Sequence, residues 1–354
     1  MNNKKYDFVV YIGRFSPFHN GHLAVLRQAA NISPKVIVLL GSAHEPRTTK
    51  NPWNIAERST MILESAKDIQ DQLILEPLRD TLYNEDEWVA QVQAKVFRTV
   101  LQHGGDEKSR VAIIGMEKDA SSYYLKSFPQ WDFVPAIAQD VLSATDIRHY
   151  LFDADQTDCH GALLMVRSNV PESVYSMLEA YRKSSPDWKR LVEEYQFVKT
   201  YKKQWEASPY PPTFVTCDAV VIHSGHVLLV ERGANPGKGL WALPGGFVGQ
   251  RETVFDACVR ELYEETNIKL SERTLRNAKP EMQIFDHPER ETRGRTITHA
   301  FCFRFPQGEL PKVKGGDDAA SAQWVPLAQV MSSSGKMFSD HWHIIRHFCP
   351  VEIY

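Results

Sequence analysis

Three glutamates in the C-terminal part of the chain have the side-chain type and the spacing of a site for a divalent cation. Glu261, Glu264 and Glu265 directly follow Arg260, and the apolar residues between Thr253 and Glu265 recur with the period of a helix. Glu261 and Glu265 therefore share one helix face, with Glu264 beside Glu261. Like charges at this spacing repel each other, so such a helix would be stabilised by a cation. Mg²⁺ and Mn²⁺ fit best because they prefer oxygen ligands, although most charged runs simply face solvent.

The residues around these glutamates extend the pattern. A glycine-rich entry, Leu-Pro-Gly-Gly at 243–246, precedes them, and the complete stretch through Ile268 resembles the Nudix box. The resemblance implies that Arg260 orients Glu261 and that Glu252 supports the cluster. It implies metal ligands at Glu252, Glu261, Glu264 and Glu265, catalytic roles for Arg260, Glu261 and Glu265, and a substrate contact at Gly246. Asn267 stands where the family usually has Gly, and we expect the helix to end there normally because Asn tolerates the left-handed conformation.

Length, charge and cysteine usage narrow the class of protein. The 354 residues are enough for two domains with substantial cores. A net charge of -3 gives no basic excess for a nucleic-acid surface. Five cysteines occur without a Cys-x-x-Cys pair, which favours free thiols in a reducing compartment. No apolar run approaches ~18 residues, and the N-terminus leads into a strand pattern rather than a signal peptide. We therefore expect a cytoplasmic protein without nucleic-acid or membrane partners.

The region from Lys5 to about Phe152 alternates between strand-like and helix-like patterns. A run of β-forming residues from Phe8 to Ile12 ends at Gly13, and the apolar spacing just beyond predicts a helix. Further strands are predicted at Val36–Leu40, Leu73–Leu75, Val111–Ile114 and Phe133–Pro135, and helices at Ile55–Lys67, Glu87–Leu101 and Lys118–Phe128. This alternation predicts an α/β fold with a doubly wound parallel sheet, whose ligand site lies at the carboxyl ends of the strands.

Two patterns at that end of the predicted sheet are suited to binding phosphate. His19 and His22 stand three residues apart at a helix start, where N–H groups and the positive dipole end favour anions and two imidazoles can donate to phosphate oxygens. Later, Ser143 or Thr145 would serve as a helix N-cap, with Arg148 on the next turn. Taken alone, the histidines could be capping residues or a chance metal site, and the second pattern an ordinary helix start.

Together, His-x-Gly-His at 19–22 and Ser-x-Thr-x-x-Arg at 143–148 resemble the nucleotidylyltransferase superfamily. Within it, the segment 41–58 with Asn84 and Trp88 is similar to the nicotinamide mononucleotide (NMN) adenylyltransferases of archaeal type. That family transfers AMP from ATP to NMN by direct in-line attack, giving NAD and pyrophosphate, with Mg²⁺ on the phosphates. The resemblance implies catalytic roles for His19, His22 and Arg148, and substrate-binding roles for Gly13, Arg14, Phe15, Asn84, Trp88, Ser143 and Thr145. The resemblance implies that Trp88 stacks on the nicotinamide ring. The alternative is that its side chain packs in the core of the domain. Phe18 and Trp53 are expected to be packing residues.

The rest of the chain predicts a connector and a second α/β domain. The predicted domains are a nucleotidylyltransferase domain at 5–152, a helical connector with a proline-rich linker at 153–212, and a Nudix domain at 213–354. Residues 153–161 are polar and loop-like, a helical pattern runs from Trp188 to Trp205, and three prolines before Thr213 form a stiff joint. Two strand patterns meet at the turn Ser224-Gly225. The Nudix resemblance implies an α/β/α sandwich with a mixed sheet.

The whole chain resembles the bifunctional adenylyltransferase and Nudix proteins of bacteria. Nudix enzymes cleave a nucleoside diphosphate linked to another group, and a domain fused to an NAD-forming one is expected to act on a related compound. ADP-ribose is the leading substrate, with AMP and ribose 5-phosphate as products. The alternatives are another nucleoside diphosphate derivative, a Nudix half that only senses ADP-ribose or NAD, and a different phosphorylated acceptor in place of NMN. The sequence does not assign the general base, for which Glu289 and Glu291 in the charged loop are two candidates. It is compatible with a homo-oligomer.

Overall fold

The computed structural model describes residues 4–116, 124–137, 141–154 and 160–350. The chain divides into two compact units, Met1–Val192 and Glu193–Tyr354. This division falls inside a helix of the predicted connector, and the domain bounds at 152 and 212 stay a prediction. Within the described residues, no helix has both the length and the apolar character needed to cross a membrane.

The first unit is built on five parallel strands in the order β3-β2-β1-β4-β5. The strands are β1 (Phe8–Gly13), β2 (Val36–Leu40), β3 (Leu73–Pro77), β4 (Val111–Gly115) and β5 (Asp132–Pro135). All five residues of β2 are buried, as expected of a parallel sheet covered by helices on both faces. The strand order reverses between β1 and β4, and a ligand crevice forms at such a reversal. The predicted doubly wound parallel sheet is confirmed.

Three helices connect these strands, and each begins at a side-chain cap. They are α1 (Asn20–Ile32), α2 (Ile55–Ser65) and α3 (Glu85–Gln102). His19, Asn54 and Asn84 cap them by accepting hydrogen bonds from N–H groups of the first turn. The helices predicted at 55–67 and 87–101 agree with α2 and α3 to within one turn. The helix predicted at 118–128 lies largely outside the described residues, and of its described part 124–126 form one 3-10 turn.

Four more helices follow the sheet: α4 (Ala144–Ala154), α5 (His160–Asn169), α6 (Glu172–Ser184) and α7 (Pro186–Lys203). The sequence predicted a loop at 153–161, but both ends of that stretch are helical, and residues 155–159 lie outside the described part. Pro186 follows the end of α6 and is the first residue of α7, where its missing N–H costs nothing.

The second unit contains a seven-stranded mixed sheet in the order β10-β11-β6-β7-β12, with two short strands paired to its centre. The strands are β6 (Thr213–His223), β7 (His226–Arg232), β8 (Trp241–Ala242), β9 (Gly245–Phe247), β10 (Glu281–Phe285), β11 (Arg295–Phe305) and β12 (Ala319–Pro326). The β6–β11 pair is parallel, whereas the others are antiparallel. The predicted mixed sheet is confirmed, and the predicted turn at Ser224-Gly225 has positive φ at both residues.

Helix α8 (Val254–Thr266) packs against this sheet and carries the three glutamates. Its buried side chains join the core formed with β6, β7 and β11. Thr253 caps its start, and Asn267 ends it in the left-handed conformation with φ 48°, so the turn predicted for Asn267 is confirmed. The remaining helices are α9 (Glu272–Asn277), α10 (Leu327–Met331) and α11 (His341–Phe348).

Candidate active sites

The two histidines of the first unit meet at the start of α1. His19 is the N-cap, and its Nδ1 accepts from the Gly21 N–H at 3.1 Å, while His22 Nδ1 accepts from the His19 N–H at 3.3 Å. The rings stack with their centroids 3.6 Å apart. Because each Nδ1 accepts a hydrogen bond, each neutral ring carries its proton on Nε2. Both Nε2–H groups are thereby prepared as donors at the positive end of a helix, where phosphate oxygens bind.

Aromatic residues of the loop before α1 pack against the His22 ring. A Cβ on Gly13 would lie 2.8 Å from the Phe15 ring, so glycine is needed for Phe15 to fold back over the end of β1. Phe15 has φ 52°, is 1% exposed and meets His22 edge-on at 5.0 Å. Phe18 stacks on His22 at 5.6 Å and is fully buried. The Phe15 ring therefore packs under the histidines, and only its backbone is left to contact a substrate. Phe18 and Trp53 are buried packing residues, as predicted.

Three guanidinium groups converge near this loop. Arg148 donates to the Ser16 carbonyl and, at 3.1 Å, to Thr145 Oγ1, while Arg58 donates to the Arg14 carbonyl. Burial, together with the charge of Arg14, lowers the pKa of Arg148 to about 10. Burial and the same neighbour lower the pKa of Arg58 to about 10, against the attraction of a nearby aspartate. Arg58 and Arg148 are buried, whereas Arg14 is exposed. Three cations at this density would favour the binding of a polyanion such as a triphosphate.

Ser143 is the N-cap of α4. Its hydroxyl donates to Asp146 Oδ2 at 2.6 Å and accepts from the Asp146 N–H at 3.2 Å. The hydrogen bond from Ser143 holds the pKa of Asp146 below its usual range. Of the two N-cap candidates that the sequence left open, Ser143 is therefore the cap, and Thr145 lies in the first turn, where it holds Arg148.

Asn84 and Trp88 lie at the start of α3, which follows the carboxyl end of β3. Asn84 is exposed and caps α3 by accepting from the Glu87 N–H at 3.0 Å. Trp88 is partly buried, edge-on to Tyr124 at 5.8 Å and 6.1 Å from Phe128. One side of the indole thus packs on the core, and the rest of it is accessible. Both residues lie at the same edge of the sheet as the histidines, because β1 and β3 run parallel.

In the second unit, Arg260 ties together three carboxylates. Its Nε and Nη2 donate to Glu252 at 3.1 and 2.7 Å, and its Nη1 donates to Glu261 at 2.8 Å and to Glu264 at 2.9 Å. Nη2 also reaches the Phe247 carbonyl at 3.3 Å. These hydrogen bonds raise the pKa of Arg260 and lower that of Glu252. The contacts agree with the orienting role predicted for Arg260 and the supporting role predicted for Glu252.

Glu261 and Glu265 face the glycines that precede the helix. Gly245 N–H donates to Glu265 Oε2 at 3.0 Å, and a Cβ on Gly246 would lie 2.5 Å from Glu261 Oε1. Glycine is therefore required at 246 for the carboxylate to approach the backbone. Burial, with the negative charge of Glu261 adding to it, raises the pKa of Glu265 to about 8. Burial also raises the pKa of Glu261, against the opposing effect of Arg260.

The carboxylate oxygens of this cluster suit a divalent cation, but they do not form a complete coordination shell. Among the residues that the structure describes, no group of three His, Cys, Asp or Glu side chains is arranged to hold a metal ion. Arg260 engages Glu252, Glu261 and Glu264, but of these three only Glu261 also lies against Gly246. Burial raises the pKa of both Glu261 and Glu265, and the charge of Glu261 adds to the rise at Glu265. A hard cation bound by these oxygen donors would offset both effects. These two carboxylates are the best placed of the predicted ligands.

Three further residues reach these sites from distant parts of the chain. Arg58, the last residue of the segment 41–58, donates to the carbonyls of Arg14, Gly41 and Ser42. Arg232 lies 4.1 Å over the Phe338 ring, and its pKa is lowered mainly by burial. Asp317, between β11 and β12, acts electrostatically on Glu261. No local pattern marks Arg232 or Asp317, because each arrives from a different element.

Of the two candidates for a general base, Glu291 is unsuited. Its carboxylate accepts from Arg293 Nη2 at 2.9 Å and from the Thr292 N–H at 2.8 Å. Burial acts to raise its pKa, but the Arg293 charge and these hydrogen bonds lower the pKa overall. A carboxylate held ionised by its own loop is a poor proton acceptor. Glu289 is exposed in the same loop.

Comparison with known proteins assigns a family to each half of the chain. The Cytidylyltransferase-like family model matches residues 10–150, and the NUDIX domain model matches residues 213–348. The chain is 35% identical over 195 residues to the nicotinamide/nicotinic acid mononucleotide adenylyltransferase of Acinetobacter baylyi, covering 54% of this chain and 95% of that protein. It is 36% identical over 134 residues to the ADP-ribose pyrophosphatase of Methanocaldococcus jannaschii, covering 38% and 72%. The fold and the two sites thus define a nucleotidyltransferase domain joined to a Nudix hydrolase domain.

Solved structures match the chain over nearly its whole length. A bifunctional NMN adenylyltransferase/ADP ribose pyrophosphatase from Francisella tularensis, complexed with AMP and an Mn ion, is 35% identical with a TM-score of 0.89, covering 98% of this chain and 99% of that one. A second structure of such an enzyme from the same organism is 37% identical with a TM-score of 0.87. The chain belongs to this family of bifunctional enzymes.

Proposed function

We propose that this chain catalyses two reactions at two separate sites. The first unit transfers AMP from ATP to NMN, giving NAD and pyrophosphate, and the second hydrolyses ADP-ribose to AMP and ribose 5-phosphate. The observation that carries the proposal is that one chain holds both clusters, the stacked His19 and His22 pair and the carboxylates tied by Arg260, in a family of bifunctional enzymes. One reaction forms a bridging diphosphate and the other cuts one.

In the transferase site, a phosphate oxygen of NMN attacks the α-phosphorus of ATP in line, and pyrophosphate leaves. No bond to the protein forms, so the residues act through position and charge. We assign the Nε2–H groups of His19 and His22 and the guanidinium of Arg148 to the phosphate charge that develops in this step. The substrate contacts assigned with them are Gly13, Arg14, the Phe15 backbone, Ser143, Thr145, Asn84 and Trp88. Mg²⁺ accompanying the ATP phosphates would neutralise their remaining charge.

In the hydrolase site, water attacks a phosphorus of the diphosphate and the P–O–P bridge opens. Glu261 and Glu265 would hold Mg²⁺ or Mn²⁺, with Glu252 and Glu264 adjoining, and the ion supplies charge neutralisation and a more acidic water. The chain itself fixes the site: Arg260 orients Glu261, and Glu265 holds the glycine backbone. Gly246 leaves room for the carboxylate.

We also propose the binding partners, the cellular location and the domain bounds of this enzyme. Its partners are small nucleotides (ATP, NMN and ADP-ribose) rather than nucleic acid or membrane, which the net charge of -3 supports. A cytoplasmic location is supported by Cys217, Cys258, Cys302 and Cys349, which are free thiols. The domain bounds proposed are 5–152, 153–212 and 213–354.

Two assays on the purified chain test the assignment. NAD should form from NMN and ATP with Mg²⁺, and AMP should form from ADP-ribose with Mg²⁺ or Mn²⁺, each followed by liquid chromatography. Binding of ADP-ribose with no AMP release under either ion would replace hydrolysis by sensing. Failure to make NAD, together with transfer of AMP to another phosphorylated acceptor, would overturn the choice of NMN.

A further inference from the structure

The backbone segment 243–246 leads from β8 into the first residues of β9 and carries the glycines that lie against Glu261 and Glu265. On the side of the sheet, the Ala219 N–H donates to the Pro244 carbonyl at 2.8 Å. From α11, Nδ1 of His341 accepts a hydrogen bond from the Leu243 N–H at 2.8 Å. His341 is the first residue of α11, 98 positions further along the chain, and only 6% exposed. A residue outside the Nudix-like pattern therefore anchors the start of the glycine loop.

A buried network of charged and polar groups surrounds His341. With Nδ1 accepting, the neutral ring carries its proton on Nε2, which lies 3.8 Å from Asp218 Oδ1. Burial lowers the pKa of His341, which favours this neutral form. Asp218 Oδ2 accepts from Thr298 Oγ1 at 2.5 Å. Arg290 pairs with Asp340 through two hydrogen bonds of 2.8 Å, and the Asp340 side chain has no exposed surface. The imidazole is thus held in one orientation and one tautomer.

Asp218 also contacts the glycine loop directly. A Cβ on Gly245 would lie 2.8 Å from Asp218 Oδ1 and 2.1 Å from the Cys217 carbonyl. The backbone at Gly245 is therefore pressed against β6, while the buried Leu243 N–H requires an acceptor. Because only Pro244 lies between Leu243 and Gly245, a shift of Leu243 moves the glycines and changes their fit to the two glutamates.

We propose that His341 is a positioning residue of the Nudix site, whose Nδ1 fixes the 243–246 backbone and thereby the geometry with which Glu261 and Glu265 hold a divalent cation. The proposal rests on the metal-dependent hydrolysis proposed above. A purely structural role would change only the stability of the second unit. If His341 has a positioning role, replacing it also changes the affinity for the cation. The size of that change then depends on where the replacement side chain places its hydrogen-bond acceptor.

The test compares three replacements in the full-length chain. His341→Asn places an amide oxygen close to the position of Nδ1, His341→Gln places its amide near Nε2 instead, and His341→Leu has no acceptor. Mn²⁺ binding is measured by electron paramagnetic resonance of the free ion, and ADP-ribose hydrolysis is followed against Mn²⁺ concentration. We expect the Leu and Gln variants to raise the Kd for Mn²⁺ by about 10- to 100-fold, the range for losing a group that orients metal ligands. The Asn variant should bind Mn²⁺ close to the wild-type Kd, and KM for ADP-ribose should stay unchanged at saturating Mn²⁺.

His347→Leu is the matched control, because His347 is an exposed histidine of the same helix, and its Kd for Mn²⁺ should equal that of the wild type. NAD formation serves as a measure of the first unit. If His341→Leu does not fold, the Asn and Gln variants still decide, since both are neutral amides. Equal Kd values for those two variants, or a wild-type Kd for a folded Leu variant, would overturn the positioning role while wild-type hydrolysis stands. A wild-type chain that neither binds Mn²⁺ nor releases AMP would overturn the hydrolase proposal and the role of His341 with it.

Discussion

Replacing Glu265 by Gln should stabilise the metal-free second unit at alkaline pH and abolish hydrolysis of ADP-ribose. Burial, with the charge of Glu261 adding to it, raises the pKa of Glu265 from 4.5 to about 8. The folded chain binds this proton more tightly than the unfolded chain, so its contribution to stability is complete below pH 4.5 and is lost as the pH rises through about 8. The slope is roughly 1.4 kcal/mol for each pH unit well below the folded pKa and falls to half of that at the pKa, so the wild type loses about 2 kcal/mol between pH 6 and pH 8.

The Gln side chain keeps an oxygen that can accept the Gly245 N–H but has no proton to lose in this range. The free energy of opening of α8 should therefore stay nearly constant between pH 6 and pH 8 in the variant and fall in the wild type. Hydrogen exchange of peptides that cover 254–266, measured in EDTA and corrected for the intrinsic pH dependence, reports this unit separately from the first. Adding Mn²⁺ at pH 8 should restore protection to the wild type and leave the variant unchanged.

Glu309→Gln is the control, because Glu309 is exposed in the same unit, and its exchange should follow the wild type at each pH. If Glu265→Gln and the wild type lost protection equally between pH 6 and pH 8, the titration would belong to another group. AMP release by the Gln variant at the wild-type rate would refute the metal-binding role of this carboxylate.

Three other substitutions test the sites one at a time. His22→Ala should lower NAD formation by about 10²- to 10³-fold, the cost of one prepared donor to a developing charge, with AMP release unchanged; parallel loss of both activities would contradict separate sites. Arg148→Lys keeps the charge but loses the forked geometry, so kcat for NAD formation should fall by up to about 10²-fold in steady-state kinetics, and an unchanged kcat would show that charge alone suffices. Gly246→Ala directs a Cβ to within 2.5 Å of Glu261 Oε1, and hydrolysis should fall by about 10- to 100-fold. Gly308→Ala, whose Cβ meets its nearest neighbour at an ordinary 3.7 Å, should retain full hydrolysis.

The sequence by itself determined both folds and the location of both clusters. Strand β2 is a continuous apolar run because a parallel strand is buried on both faces, and its predicted bounds are those of the structure. The apolar stripe of α8 fixed which way its glutamates face, since a helix repeats every 3.6 residues wherever it packs. The ending of α8 at Asn267 followed from the conformational preference of that one residue.

The tertiary structure decided which distant groups act on those clusters. Arg148 reaches the Ser16 carbonyl across 132 positions, and His341 reaches Leu243 across 98. It also decided that Phe15, predicted as a substrate contact, packs its ring beneath the histidines. The physical reason is that backbone periodicity is a local property of a few neighbouring residues, whereas pairing, burial and the resulting pKa values arise only when separate elements close around one another and exclude water.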